Sequence, residues 1–312
     1  MASALVVGDA GTGLTTFVGL LYAAQVRLGT EEEDEFRFSA DRESIRGLEA
    51  IYGDLVAGRF PERDLDWDEH PLSFVFGLRN GWLRGLRPRA GRGEGGFETV
   101  RLEVGGISAP ELAELARHDA ILAESTRRLL RSQVLLFLVD ASRLDRGVDG
   151  DPPAPLARYD RLLAGALGVL ARFAAAAARR RDRRLYPIFV VTKLDRLPGD
   201  ARRRLGLPDA GPPRLDGSER PRVGRDLLAA FLPQTARALA DLRQNGGLRL
   251  EPPRWFFSAL RIVNGPAGRP IARRSRVPVG GWEPEYPFEE YRALLSELGR
   301  LARGLPAGSA DR

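Results

Sequence analysis

Three short stretches carry residue types and spacings that could do chemistry. The first reads Gly8-Asp9-Ala10-Gly11-Thr12-Gly13-Leu14-Thr15-Thr16. It follows an apolar run over 3–7 and precedes an apolar-periodic stretch over 14–28, which is a strand–turn–helix layout. Glycines in such a turn let successive backbone N–H groups converge on an anion, and the helix N-terminus adds partial positive charge. Thr15 stands where a hydroxyl ligand for magnesium would. The phosphate-loop pattern G-x-x-x-x-G-K-[ST] calls for Lys where this chain has Leu14. A charged contact to phosphate is worth about 1.5–3 kcal/mol, so losing it weakens binding roughly 10- to 150-fold. Alone, the turn reads equally well as a tight turn with no ligand.

The second stretch is Thr192-Lys193-Leu194-Asp195, after an apolar run over 185–191. A carboxylate at Asp195 can accept hydrogen bonds from both N1–H and the 2-amino group of guanine. Adenine presents a bare N1 acceptor and no 2-amino group, and would leave that carboxylate unpaired. The alkyl stem of Lys193 can lie over the base. Of 48 cations in the chain, Lys193 is the single Lys. Where Arg replaces almost every generic cation, a retained Lys points to a need for an ammonium on a flexible stem. The third stretch is Phe256-Phe257-Ser258-Ala259-Leu260, a short strand ending in small residues. Backbone N–H groups around Ser258, Ala259 and Leu260 can cap the base carbonyl O6. Each stretch is weak alone; their order and context carry the information.

The elements that must position these residues follow from periodicity. Strands are expected over 3–7, 35–39, 72–78, 98–104, 133–139, 185–191 and 254–257, and helices over 14–28, 41–56, 110–130, 156–181, 226–245 and 286–305. Apolar strands alternating with helices predict an α/β fold, a mostly parallel sheet covered on both faces. Loops over 84–96, 145–155, 198–223 and 264–284 read as insertions on one domain spanning 1–312, with a core over about 3–262 and a closing helix over 286–305.

Composition excludes several classes. The 312 residues are 43% apolar and 29% charged, enough for a packed core. There is no Cys, which rules out a disulfide framework and a thiol nucleophile, and the two His lie far apart. No apolar run reaches the roughly 20 residues that span a bilayer. Met1 leads straight into an apolar strand without a basic lead-in, which speaks against a secretory leader and for a cytoplasmic protein. The net charge of +6 is spread along the chain. Two dense basic runs, 179–184 and 202–204, lack interleaved aromatics, so nucleic acid is not an expected partner. The acidic run 31–35 reads as a solvated loop, and Trp67, Trp82, Trp255 and Trp282 as core or loop anchors.

Taken together, the glycine-rich turn, VLLFLVDAS, FVVTKLD and FFSAL, each placed at a strand end, resemble the Ras-like GTPases of the translation-factor-related (TRAFAC) class of P-loop proteins. TKLD and SAL are spelled as in Rho-type members, and the resemblance covers most of 3–262. The long Arg-rich loops and Gly58-Arg59-Phe60-Pro61 look more like a bacterial GTPase-like group that includes the double-GTPase proteins of multi-gene conflict systems. The resemblance implies a three-layer Ras-like fold and a phosphate loop at 8–16. It further implies a magnesium ligand at Thr15, guanine contacts at Lys193 and Asp195, and an O6 contact around 258–260.

The same pattern expects three further groups that are missing here. Glu103-Val104-Gly105-Gly106 stands for DxxG, with Glu for Asp. Ile107 follows where Ras-like members have a water-orienting Gln. Between Ala57 and Phe74 there is no Thr for the first switch, and Ser73 is the only hydroxyl. Phosphate-handling parts are degenerate while base-reading parts are intact. The expectation is a protein that binds GTP or GDP, with Mg2+, and hydrolyses poorly or not at all. It would serve as a regulatory module beside a protein partner, such as another GTPase-like chain. Arg84, Arg87 and Arg89 are candidates to replace the missing loop Lys. The alternative is a pseudo-GTPase scaffold that binds no nucleotide and acts through protein contacts.

Overall fold

A computed structural model describes residues 2–8, 11–31, 36–61, 72–79, 97–107, 134–144, 154–176, 184–208, 215–244, 249–265, 268–276 and 281–302. The loops over 84–96 and 145–153, the expected helix over 110–130, the basic run over 179–183, Trp67 and Trp82 lie outside the described residues. The chain forms two compact units. One comprises Met1–Ala4, Thr15–Val104 and Leu260–Arg312; the other comprises Leu5–Leu14 and Gly105–Ala259.

The second unit holds the α/β layers. Its strands are the end of β1 (Ala2–Val7), then β5 (Val134–Asp140), β6 (Arg184–Thr192), β7 (Arg249–Leu250) and β8 (Arg254–Phe257). β1 neighbours β5, β5 runs parallel to β6, and β6 runs parallel to β7 and β8. Every residue of β5 is buried, as are all but the first of β6. Continuous apolar runs in parallel strands need both faces covered, so alternation disappears. This is the α/β class that the strand–helix alternation and the family resemblance both imply.

One side of that sheet packs on three helices, α3 (Ala154–Ala176), α5 (Glu219–Phe231) and α6 (Pro233–Gln244). A shorter helix, α4 (Gly199–Leu205), follows the end of β6 in the chain. Phe137, Phe189 and Trp255 stand at matched register positions on β5, β6 and β8 and stack with ring centroids 5.2 and 4.6 Å apart. Such cross-strand aromatic pairs add stability beyond their buried area. α5 lies so close to β8 that a Cβ on Gly224 would sit 2.1 Å from the Trp255 ring.

Two expectations change here. The segment 198–223, read as an insertion loop, contains α4 and the start of α5, with Leu205, Leu207 and Val223 buried. The helix expected over 226–245 is two helices broken at Pro233, which lacks the N–H a continuing helix needs. α6 instead starts on Asp160 of α3, whose carboxylate accepts from Gln234 N at 2.8 Å and Thr235 N at 2.9 Å.

The first unit contains α1 (Leu14–Glu31) from Thr15 onward, β2 (Phe36–Ala40), α2 (Arg42–Val56), β3 (Leu72–Arg79) and β4 (Phe97–Ile107) as far as Val104. β2, β3 and β4 pair antiparallel in that order. The alternating patterns over 72–78 and 98–104 do pair. The loop expected over 264–284 carries short ladders instead: β9 (Ile262–Asn264) with β10 (Pro270–Ala272), and β11 (Arg274–Arg276) with β12 (Trp282–Pro284). α7 (Phe288–Ala302) closes this unit, with Tyr291 packed 5.8 Å from Phe17 of α1 between ring centroids.

Asp41 caps α2 as its position predicts. Its carboxylate accepts from Ser44 N at 2.8 Å and from the Ser44 hydroxyl at 2.9 Å. The amide bond first, then the hydroxyl, holds the Asp41 carboxyl below the ordinary carboxylate range.

Two substitutions test this packing. Gly224→Ala overfills the α5–β8 contact and lowers stability by about 1–3 kcal/mol, read from chemical denaturation; an unchanged midpoint would contradict the close approach. Asp41→Ala removes the cap and costs about 1 kcal/mol at neutral pH. The folded carboxyl titrates below its unfolded value of about 4, so the cap stabilises above that pH and its contribution is lost as pH falls through the lower folded value. The difference between wild type and Asp41→Ala therefore narrows on acidification.

Candidate functional site

The turn after β1 enters α1 through Gly11, Thr12 and Gly13; Asp9 and Ala10 lie outside the described residues. Gly11 and Gly13 have φ of +78° and +85°, a conformation that disfavours side chains. At Gly8 the reason for glycine is space, since a Cβ there would lie 2.9 Å from the Thr12 hydroxyl oxygen. Thr12 itself is fully buried, so its side chain fills the floor of the turn. Leu14, Thr15 and Thr16 form the first turn of α1 and are half-buried.

The end of β6 reaches this turn. The Thr192 hydroxyl donates to the carbonyl of Thr12 at 2.6 Å, and lies 3.3 Å from that of Val139. The next residue, Lys193, takes a left-handed backbone (φ 51°, ψ 37°), and among the described residues no other non-glycine has a positive φ. That conformation costs a non-glycine about 1–2 kcal/mol, so neighbouring contacts must hold it. They do: the Lys193 ammonium donates to the Gly11 carbonyl, and its stem passes 3.6 Å from where a Cβ on Gly13 would be.

The ammonium also pairs with a carboxylate that sequence reasoning did not single out. Lys193 Nζ lies 2.7 Å from Asp140 Oδ2 at the end of β5. Asp140 is only 1% exposed. Its other oxygen accepts from Ser142 N at 3.0 Å and the Ser142 hydroxyl at 2.6 Å, and Arg143 Nε lies 3.3 Å from Oδ2. The signal was present in VLLFLVDAS, where an acid ends an otherwise apolar strand. A lone strand-end acid has many uses, and its partner lies 53 residues away.

The segment following Lys193 is also fastened. Leu194 N donates to the Ser258 carbonyl at 3.1 Å, and Ser258 N donates to the Val191 carbonyl at 2.7 Å. Buried Arg202 donates to the carbonyls of Leu194 at 2.6 Å, Leu197 at 3.3 Å and Pro208 at 3.0 Å. Three carbonyls on one guanidinium pin the turn that carries Asp195, which is exposed. Thus Thr192, Lys193 and the Gly11–Gly13 backbone meet directly, and Ser258 is tied to the same strand end. Ala259 and Leu260 follow Ser258 and are buried. No group of three or more acidic or His side chains suited to a metal occurs among the described residues.

β4 runs unbroken through Glu103, Val104, Gly105 and Gly106 to Ile107, with Glu103 opposite Ser73 of β3. Glu103 and Val104, the first two of the residues that stand for DxxG, are therefore part of a ladder. Arg84, Arg87 and Arg89 lie outside the described residues. No described helix is long and apolar enough to cross a membrane.

Comparison with known proteins adds little. No protein-family model matches the chain, and no curated protein matches it in sequence. Among solved structures, the chain is similar to one in the signal recognition particle receptor SRb-GTP/SRX complex from Chaetomium thermophilum. Identity is 13%, coverage 85% of this chain and 95% of that one, and the TM-score 0.36. At that score the likeness carries no argument about the site.

The Lys193 contacts are testable by stability alone. Lys193→Ala loses the ammonium and keeps the left-handed strain; Lys193→Gly loses the ammonium and relieves it. Lys193→Ala is expected to lose about 1–3 kcal/mol, and Lys193→Gly about 1 kcal/mol less than that. Equal losses would show that Lys193 is not held left-handed. In a double-mutant cycle with Asp140→Asn, the pair should couple by at least about 0.5 kcal/mol.

Proposed function

We propose that this chain is a guanine-nucleotide-binding protein of degenerate GTPase type that hydrolyses GTP slowly or not at all. The observation that carries the reading is the Lys193 side chain lying across the glycine turn, with Thr192 bonded to the same turn. A base-reading segment is useful only where it abuts a phosphate cradle, and here the two segments, far apart in sequence, are joined by hydrogen bonds. Asp195 would accept from guanine N1–H and the 2-amino group, with Lys193 beneath the base and backbone amides at Ser258–Leu260 near O6. Thr15, in the first turn of α1, would be the protein ligand of a magnesium ion bound with the nucleotide.

Weak turnover follows from what is missing. Phosphoryl transfer is catalysed by positioned charge and a positioned water. Leu14 supplies no charge, Ile107 cannot hold a water, and Glu103 replaces the expected Asp within a strand ladder. A binder with poor turnover suits a regulatory module in the cytoplasm that works beside a protein partner, as in the multi-gene systems that the Arg-rich loops resemble.

The test is a thermal-shift and calorimetric titration of the purified chain with GDP, GTP and ATP, with and without magnesium. GDP and GTP should stabilise it in proportion to ligand occupancy, and ATP should not. Asp195→Ala should weaken GDP at least tenfold. Phosphate release from GTP should not exceed the roughly 10⁻⁴ s⁻¹ of an unassisted Ras-like protein. No shift with any nucleotide at millimolar concentration would replace this reading with the scaffold reading.

A further inference from the structure

We propose that Trp282, with Arg274 and Arg276 beside it, is a docking site for an acidic segment of a protein partner. The inference stands apart from the nucleotide reading and rests on the first unit alone.

The sequence reads Trp282 as a core or loop anchor, but it is 49% exposed at the start of β12. Among the described residues, Val26 is the one other large apolar side chain so open to water. The ribbon explains which way the ring faces. In the antiparallel pair of β11 and β12, Arg274 stands opposite Pro284, Ser275 opposite Glu283, and Arg276 opposite Trp282. Alternation puts Arg274, Arg276 and Trp282 on one face and Glu283 on the other. Glu283 is buried and accepts from the Tyr286 hydroxyl at 2.7 Å. Arg274 and Arg276 are exposed together with Trp282.

The ring is also braced. The Arg274 guanidinium carbon lies 5.3 Å from the ring centroid, within cation–π range. Arg274 is fastened in turn, donating to the Val56 carbonyl at the end of α2 at 3.0 Å. A ring already held in place loses little freedom when a partner covers it.

Charge names the partner. Residues 261–276 carry five Arg and no Asp or Glu. Glu285 answers two of them, Arg261 at 3.3 Å and Arg273 at 3.1 Å. Arg274 and Arg276 have no carboxylate partner among the described residues. Two cations around a half-open ring match acids that flank an apolar side chain, and repel a basic segment. Trp and Arg are also the residue types that dominate protein interfaces. Single-stranded nucleic acid fits less well. It needs a cationic groove with several stacking rings, whereas here one ring stands on strands of three residues, about 10 Å long. A membrane fits less well too, because one ring offers little apolar area to insert.

The experiment titrates the full chain into a labelled peptide, with Glu and Asp on both sides of a Leu-Phe pair, and reads anisotropy. The acidic peptide should bind, and more weakly as salt is added. Trp282→Ala and Arg276→Glu should each weaken it at least about fivefold. Arg269→Glu makes the same charge change at an exposed position about 20 Å away along β10 and β11. It should leave binding within about twofold. If Trp282→Ala does not fold, Arg276→Glu against Arg269→Glu decides in the same sense. No binding of the acidic peptide overturns the inference. Equal losses with Arg269→Glu and Arg276→Glu overturn it as well, since net charge alone would then act. So does equal binding of a peptide with Gln and Asn in place of the acids. Tighter binding of oligothymidine, or of phosphatidylcholine vesicles containing phosphatidylserine, lost with the same two substitutions, would replace the acidic partner with a nucleic acid or a membrane.

Discussion

An ammonium drawn across a glycine turn organises the site. Lys193 sits at the end of a buried parallel strand, in a backbone conformation that only strong local contacts can hold. Those contacts come from two other parts of the chain, the Gly11 carbonyl and the Asp140 carboxylate. A carboxylate buried to this degree needs a partner, and an ammonium on a four-carbon stem can span the distance while packing over Gly13. The turn, the end of β5 and the end of β6 are thus held in one arrangement. Arginine, however common elsewhere in this chain, would bring a wide planar fork to a place that accepts a point charge.

The core explains why three strand ends can meet so closely. β5, β6 and β8 run parallel, so their C-terminal ends lie at one edge of the sheet. The stack of Phe137, Phe189 and Trp255 locks the register, because a one-residue slip would turn each ring to the opposite face. With register locked, Asp140 stands opposite Thr192 and one residue from Lys193. Arg202 then gathers the carbonyls of the following turn. The turn that carries Lys193 therefore has layers of support, from apolar packing to backbone bonds. Glu103 and its neighbours are spent on strand pairing.

The chemistry of the turn is consistent with this division. A glycine turn before a helix attracts anions by its amides alone, but only weakly, and a cation is needed to make the attraction strong. In this chain two cations, Lys193 and Arg143, lie at strand ends beside the turn. Asp140 sets their positions and cancels one of their two charges.

The strand–turn–helix at 3–28, the α/β class, the pairing of 72–78 with 98–104 and the Asp41 cap were all legible in the sequence. Each depends on residues close together in the chain, where periodicity, glycine geometry and capping act locally. The break at Pro233 and the helix inside 198–223 were not read, because the deciding partners are distant: Asp160 supplies the cap for α6, and buried Leu205 and Val223 find their core only after the sheet assembles. The same holds for the site. Local sequence determined that a lone Lys and a glycine turn exist. Only tertiary structure decided that they touch, that a buried Asp140 joins them, and that Arg143 is the cation brought beside Gly11. Long-range charge pairing leaves no period and no fixed spacing along a chain; it arises when parallel strands bring their ends together.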